Sequence, residues 1–359
     1  MSAYIVSSAD VRHNIAQIRK KAGEATIFAV VKGDGYGLGT EKLAKLCAGE
    51  GIDHFAVTEV AEAGILRQMG MKEILMLRPT ENREELEKLL TLDVICTVGS
   101  LDDAVTISGI AREMEKKARV HLKVDTGMGR YGFLPSQKAQ LLDCYEHLDT
   151  LDICGMYTHF HSAFCSKKSV RNQLETFHQM VEAVRAAGFD PGMLHCANSS
   201  ALFRVPETVL DAVRVGSALL GRLGFRNNLK KVGFCETKVD QVKWLPKGHT
   251  CGYGAAWTAK KPTRIAVIPV GWFHGFTAEH GRDIFRFRDN LRMVLTGLKG
   301  MLKKKHITVT VGNTKCKTVG HVGMLHTVLD VTNTTVSPED IAIVEINPTC
   351  VRGMEIKIV

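Results

Sequence analysis

The strongest constraint on this chain is an alternation that runs through its first two thirds. Short apolar, strand-like runs fall at 27–31, 54–57, 73–77, 94–96, 120–124, 151–157, 193–196 and 212–215. Helical patterns separate most of them, at 41–49, 59–69, 81–90, 101–116 and 170–187. Buried strands joined by helical crossovers must lie parallel, and eight of them give the count of a (β/α)8 TIM-type barrel. A doubly wound open sheet is the competing fold for the same alternation. After Arg222 the texture changes to short β-rich runs at 238–244, 264–270, 307–311, 317–319, 328–331 and 341–346, separated by Gly, Pro and Asn. The expected fold class is therefore α/β: an N-terminal barrel over 7–225 and a C-terminal mainly β domain over 226–359. At 359 residues the chain is long enough for both.

Composition matters here mainly for what it excludes. No apolar run approaches a membrane span. The start, from Met1 to Asp10, lacks a basic region followed by an apolar core, so no signal peptide is expected. Ten cysteines are scattered without Cys-x-x-Cys or metal-ligand spacing, which suits reduced thiols in a cytoplasmic protein. No metal, nucleic-acid or membrane partner is expected. The net charge of +9 is local: between Arg282 and Lys305, eight basic residues face only Asp283 and Asp289.

Chemistry concentrates at the ends of the strand-like runs. The first run leads into Lys32-Gly33-Asp34-Gly35-Tyr36-Gly37, with a helical pattern resuming at Thr40. A lysine at the carboxyl end of a buried strand stands where α/β folds place their chemistry. Partial burial lowers an ammonium pKa and yields an amine nucleophile. No Gly-Lys-Ser/Thr follows, so a nucleotide P-loop is not supported. On the residues alone, this could equally be a solvated strand-end lysine followed by a flexible turn.

The stretch closely resembles the pyridoxal-phosphate lysine motif of the alanine racemase family. Further matches follow in order: Lys123, Asp125-Thr126-Gly127-Met128 and Arg130; Thr158-His159; His195, Ala197-Asn198-Ser199; Arg214 to Ser217; and Tyr253-Gly254. The resemblance implies that Lys32 bonds pyridoxal 5'-phosphate. Tyr36, His195, Ser199, Arg214, Gly216 and Ser217 would surround the cofactor, with Arg214 at its ring nitrogen. Arg130 would bind the substrate carboxylate, with Lys123 positioning it, and Met324 would lie near the substrate. His159 would link an arginine to Tyr253, the second base beside Lys32. It further implies that Ala3–Val6 joins the second domain. Because the two bases lie on different domains, it also implies a head-to-tail homodimer with sites shared between subunits.

The implied activity is interconversion of L- and D-alanine. Two alternatives remain: racemisation of another amino acid such as serine, or a non-catalytic cofactor-binding paralogue. The family's Gly-Tyr-x-Asp-Gly-Tyr is replaced by Gly271-Trp272-Phe273-His274-Gly275-Phe276. Its Arg-Val-Cys-Met-Asp-Gln is replaced by His321-Val322-Gly323-Met324-Leu325-His326, and the usual C-terminal tyrosine is missing. These departures fall where the family lines its substrate entrance. The basic stretch 282–306 is extra, with Ile284, Phe287, Leu291, Val294, Leu298 and Met301 at helical spacing. It predicts an amphipathic helix whose apolar face packs on the β domain, with a partner or an acidic membrane surface as the alternative.

Overall fold

The computed structural model describes residues 2–278, 287–302 and 306–359. Two compact units emerge: Ser8–Val232, and Met1–Ser7 together with Gly233–Val359. The sequence reading set the division at 225/226; the contacts divide the chain at Val232/Gly233.

In the first unit all eight strands form. They are β2 Thr26–Val30, β3 His54–Val57, β4 Glu73–Met76, β5 Cys96–Val98, β6 Ala118–Lys123, β7 Leu151–Tyr157, β8 Met193–Asn198 and β9 Ala212–Val215. They pair in parallel in the order β4-β3-β2-β9-β8-β7-β6-β5. The remaining seam is spanned at Leu75 and Ile95. There the Met76 N–H donates to Ile95 O at 2.9 Å and the Ile95 N–H to Ile74 O at 2.8 Å. The sheet is thus a barrel rather than an open doubly wound sheet. This bridge also explains why the fifth strand starts later than its apolar run suggests.

Helices fill the crossovers because their apolar residues recur on one stripe. Ser100 caps Leu101–Glu113 by accepting the Asp103 N–H at 3.0 Å, and Ala104, Ile107, Ile110 and Ala111 are buried. Ser166 does the same for Lys167–Ala186. Two further helices, Lys138–His147 and Ser199–Arg204, lie where no helical pattern was read.

Inside the barrel, Phe28, Val30, Ala56, Leu75, Ile95 and Ala212 pack into one cluster. Side chains alternate faces along a strand, so an inward residue fixes the direction of the one two places on. Phe28 and Val30 therefore aim Lys32 inward at the carboxyl end of β2. In the same way His121 aims Lys123, Tyr157 aims His159, and Ala212 aims Arg214 and then Gly216. The strand period alone carries these five residues to one end of the barrel.

The second unit is a nine-stranded sheet. It comprises β1 Ala3–Val6, β10 Phe234–Lys238, β11 Gln241–Leu245, β14 Thr263–Ile268, β15 Thr308–Val311, β16 Thr314–Thr318, β17 Thr327–Asp330, β18 Ile341–Val344 and β19 Glu355–Ile358. A separate hairpin pairs β12 Thr250–Cys251 with β13 Trp257–Thr258. The sheet order is β11-β14-β17-β16-β15-β18-β10-β1-β19. The first strand of the chain lies antiparallel to β10 and parallel to β19. The run at 238–244 is two strands and not one: β10 pairs with β18 and β11 with β14, and the chain changes partner between Lys238 and Gln241. Gly312 takes φ 55° in the two-residue loop that closes β15 onto β16, a turn that favours glycine.

The extra basic segment includes a helix over Phe287–Leu302; the rest of the expected helix at 282–286 and 303–305 lies outside the described residues. Where its side chains are described, the stripe is not packed, contrary to expectation. Phe287, Leu291, Val294 and Leu298 are all exposed. Among the described residues, no helix is long and apolar enough to cross a membrane. All ten cysteines are free thiols.

Candidate active site

A cavity of about 580 Å³ opens at the carboxyl ends of the barrel strands. Lys32, Tyr36, Lys123, Arg130, His159, Ser199, Arg214, Gly216 and Ser217 all line it. Sequence reading anticipated each of these nine. His195 does not line it; it lies wholly buried behind Arg214.

The backbone that presents Lys32 turns the wrong way round. Gly33, Asp34, Gly35 and Tyr36 have φ of 64°, 50°, 61° and 55°, a left-handed turn. Left-handed backbone costs L-residues about 1–2 kcal/mol each, and glycine escapes most of that. Asp34 and Tyr36 do not escape it, and local bonds offset their strain. The Gly35 N–H donates to Val31 O at 2.8 Å and the Gly39 N–H to Asp34 O at 2.9 Å. Asp34 Oδ1 accepts the Thr40 N–H at 2.9 Å.

Glu62, which sequence reading missed, ties this turn to the next strand. Its buried carboxylate accepts the N–H groups of Asp34 (3.0 Å), Thr58 (3.0 Å) and Glu59 (3.1 Å). The readable signal was the helix start at Glu59 with an acid three places on, a capping-box spacing. The third bond, to Asp34, is non-local and has no signature in the sequence.

The turn delivers Tyr36 against Gly216. A Cβ at Gly216 would stand 2.1 Å from the Tyr36 hydroxyl, so only glycine fits there. Ser199 Oγ accepts the N–H groups of Gly216 (3.1 Å) and Ala218 (3.2 Å). The Gly216 amide is therefore already engaged by Ser199. Burial pushes the Tyr36 hydroxyl up to about 12, so it stays a donor.

Arg214 is buried, yet its partners are all uncharged. Its terminal N–H groups donate to Thr158 O (2.6 Å), His195 O (3.0 Å), Cys196 O (3.4 Å) and His195 Nδ1. Its guanidinium also lies 4.9 Å over the Tyr157 ring. An arginine can only donate. His195 Nδ1 is therefore an acceptor, and the Nε2–H of His195 donates to His121 Nδ1 at 2.9 Å. Burial and the nearby Arg214 charge hold both rings neutral, His121 down to about 3 and His195 well below its ordinary value. With both terminal nitrogens spent, Nε–H is the donor that Arg214 keeps for a ligand.

Asp125 shapes the third wall. It accepts the backbone N–H groups of Gly127 (2.8 Å), Gly129 (3.1 Å) and Arg130 (3.2 Å), and not the arginine's side chain. The guanidinium of Arg130 is thereby left to the cavity. Lys123 lies between the rings of Tyr131 (5.2 Å) and Tyr157 (5.4 Å). Burial, then the charges of Arg130 and Arg214, bring its ammonium down to about 7. Lys32 is lowered by burial and by Arg130, against a smaller upward pull from Glu62. Burial and four surrounding cationic residues push His159 down to about 3. It is neutral near pH 7, so it adds no positive field.

Five basic side chains thus line one cavity, Lys32, Lys123, Arg130, Arg214 and Arg78, of which Arg78 is paired with Glu59 and Glu85, while the carboxylates of Asp125 and Glu62 are spent on backbone N–H groups. Such a site calls for an anionic ligand, with places suited to phosphate and carboxylate. These residues fit a phosphorylated aldehyde cofactor: an amine of lowered pKa, hydroxyl donors at Tyr36 and Ser199, and an unspent arginine N–H.

Tyr253 and Met324 belong to the other unit. Tyr253 heads a short turn between β12 and β13 and is 80% exposed. Gly252 packs beside the backbone of Gly320 and His321. The Trp272 N–H donates to Gly323 O at 3.0 Å and the Phe273 N–H to Met324 O at 3.1 Å. The departures from the family pattern therefore share one face with Tyr253. Trp272, Phe273, Met324 and Leu325 are all exposed on it.

Comparison with known proteins gives a consistent picture. Residues 6–223 match the alanine racemase N-terminal domain, and 234–350 match the alanine racemase C-terminal domain. An alanine racemase of Desulforamulus reducens is 35% identical over 275 residues, covering 74% of each chain. The solved alanine racemase of Clostridium difficile superposes with a TM-score of 0.84 at 25% identity, over 100% of this chain and 95% of that one. An alanine racemase structure from Bartonella henselae, with covalently bound pyridoxal phosphate, shares the fold at TM-score 0.82 and 20% identity, over 100% of this chain and 99% of that one.

Proposed function

The chain belongs to the alanine racemase family, and from that premise we propose that it interconverts L- and D-alanine on pyridoxal 5'-phosphate, with Lys32 and Tyr253 as opposed bases. The observation that carries this reading is the cationic cavity, in which a lysine of lowered pKa stands beside an arginine with a free fork. Bound pyridoxal phosphate supplies an aldehyde for an amine and an electron-withdrawing ring that acidifies the Cα–H of an attached amino acid.

The protein's residues do the rest. Lys32 holds its amine partly neutral, ready both to bond the aldehyde and to take a proton at Nζ. Tyr36 and Ser199 hold the phosphate with their hydroxyls, alongside Ser217. Arg214 donates through Nε–H and keeps its own proton, so a ring nitrogen facing it is hydrogen-bonded but not protonated. That weakens the ring as an electron sink and favours proton exchange over transamination. Arg130 takes the substrate carboxylate with its planar fork, and Lys123 sets the position of that fork. His195 supports Arg214 from behind. Lys32 Nζ removes the Cα proton on one face while Tyr253 Oη delivers one on the other, which inverts the centre.

Tyr253 stands in water within its own unit, among exposed Trp272, Met324 and Leu325. An apolar surface of that kind suits an interface. In the proposed assembly two copies pack head to tail, so that Tyr253 of one serves Lys32 of the other. The expected location is the cytoplasm. A second reading, racemisation of another small amino acid such as serine, is favoured by the altered face: Trp272, His274, His321, Leu325 and His326 replace the family's entrance residues. A non-catalytic paralogue is disfavoured by the presence of both bases.

The test is incubation with single L-amino acids in D2O, following Cα–H loss and D-isomer formation. Alanine is expected to exchange and invert fastest. Faster inversion of serine would select the second reading, and no exchange with any amino acid would overturn both.

A further inference from the structure

Helix Phe287–Leu302 is the strongest feature outside the active site. Phe287, Leu291, Val294, Leu295 and Leu298 are 80%, 47%, 59%, 50% and 51% exposed. At the helical period these five positions fall within one arc about 100° wide. Arg288, Arg292 and Lys299 occupy backbone positions in the neighbouring arc, and Asp289 lies opposite. The helix therefore has an apolar strip bordered by a basic one, and among the described residues the strip stays exposed.

Three occupants are conceivable: a second copy, a protein partner, or a lipid surface. Charge decides among them. The segment from Arg282 to Lys305 carries eight Lys and Arg against two Asp. Two copies joined strip to strip would set this excess against itself, at a Coulomb cost. A protein partner would need an apolar groove rimmed by acids along the whole helix, which is about 24 Å long. An anionic bilayer offers apolar depth and a negative surface together, without a matching shape. Lying in an interface also requires no spanning length.

We propose that Phe287–Leu302 is a membrane-surface helix, its apolar strip seated at the acyl boundary of an anionic bilayer and its basic border on the lipid phosphates. The racemase would thereby be a peripheral protein, held by a device of its second unit that takes no part in the chemistry.

The experiment is co-sedimentation of the full holoenzyme with equimolar phosphatidylserine–phosphatidylcholine vesicles, beside phosphatidylcholine vesicles alone. Wild type should pellet with the anionic vesicles and not with the neutral ones, and should come off in about 0.5 M salt as the charges are screened. The double variant Leu291→Asp, Leu298→Asp should lose roughly tenfold or more of the binding, with unchanged melting temperature and unchanged turnover. A wild type that stays in the supernatant with anionic vesicles overturns the proposal. So does a double variant that melts markedly lower, which would mean a packed strip. So does one that dissociates an oligomer on gel filtration while still binding vesicles, which would mean a surface between copies.

Discussion

The barrel cavity and the Tyr253 face solve the problem of placing a reactive group in opposite ways. In the cavity, Lys32, Lys123 and Arg214 are sunk at strand ends, burial lowers the pKa of all three, and the charge of Arg130 lowers both lysines further. On the β unit, Tyr253 sits on a short turn and is 80% exposed. A group fixed by strand period is finished when the unit folds. A group on an exposed turn acquires its environment only from something else. The two regions divide the proposed mechanism into a part that one chain completes and a part that assembly completes.

Breaking the completed half should have the largest effect. Lys32→Ala should remove racemisation beyond detection, since one residue serves as both tether and base; a loss of more than about 10⁴-fold is expected. The purified protein should lose the yellow colour of bound pyridoxal phosphate, which absorption spectroscopy reads directly. A Lys32→Ala protein that remains yellow and active would end the assignment.

Breaking the other half should cost less and should leave the fold alone. Tyr253→Phe is expected to lower racemisation by about 10²- to 10⁴-fold while exchange of one enantiomer's Cα proton persists. Its stability should stay within about 0.5 kcal/mol of wild type, because the side chain is so exposed. Mixing the two inactive proteins sharpens the comparison. Random exchange makes half the dimers mixed, each with one intact site, so activity should recover to about a quarter of wild type. No recovery despite demonstrated subunit exchange would place both bases within one chain.

A subtler break is Glu62→Gln. It sets an amide against the three backbone N–H groups that the carboxylate accepts. About 1–3 kcal/mol of stability should go, readable by urea unfolding. Glu62 also raises the pKa of Lys32, so the pH at which the apo-protein captures pyridoxal phosphate should move down. An upward move would mean that the turn, and not the charge, dominates.

The smallest effect per residue belongs to the buried imidazoles. His121 and His159 titrate at about 3 when folded, against 6.5 when free. Below pH 6.5 the unfolded chain binds protons that the folded one refuses, so stability falls as pH drops, by roughly 1 kcal/mol per histidine per pH unit. Unfolding free energies between pH 7 and 5 should show the decline, and His121→Asn should make it shallower. An unchanged slope would mean that His121 takes its proton in the folded state.

The cavity was legible in the sequence because its residues follow strands, and the strand period is local. Lys32, Lys123, His159 and Arg214 each sit two places beyond an inward-facing residue. What was not legible depends on partners distant in the chain. Glu62 matters through the Asp34 N–H, and His195 reaches the cavity only through Arg214, which it supports from behind. The strand Glu355–Ile358 alternates Ile with charged residues, yet it pairs with the opposite end of the chain. The stripe on Phe287–Leu302 was correctly read as helical, but periodicity says which residues share a face and not what that face meets.

The sheet of the second unit also has a history in time. The barrel unit is one continuous stretch, Ser8–Val232, and its strands are all made before residue 233 leaves the ribosome. The first strand, Ala3–Val6, is synthesised before any of them, yet both its neighbours, Phe234–Lys238 and Glu355–Ile358, come after the whole barrel. Until Phe234–Lys238 is made this apolar tetrapeptide waits with both edges unpaired, and its other edge waits longer for Glu355–Ile358, the condition in which strands recruit foreign ones. A chain cut before Glu355 would keep that second edge open beside a finished barrel, so the pairing of Ala3–Val6 with Glu355–Ile358 is what removes this hazard.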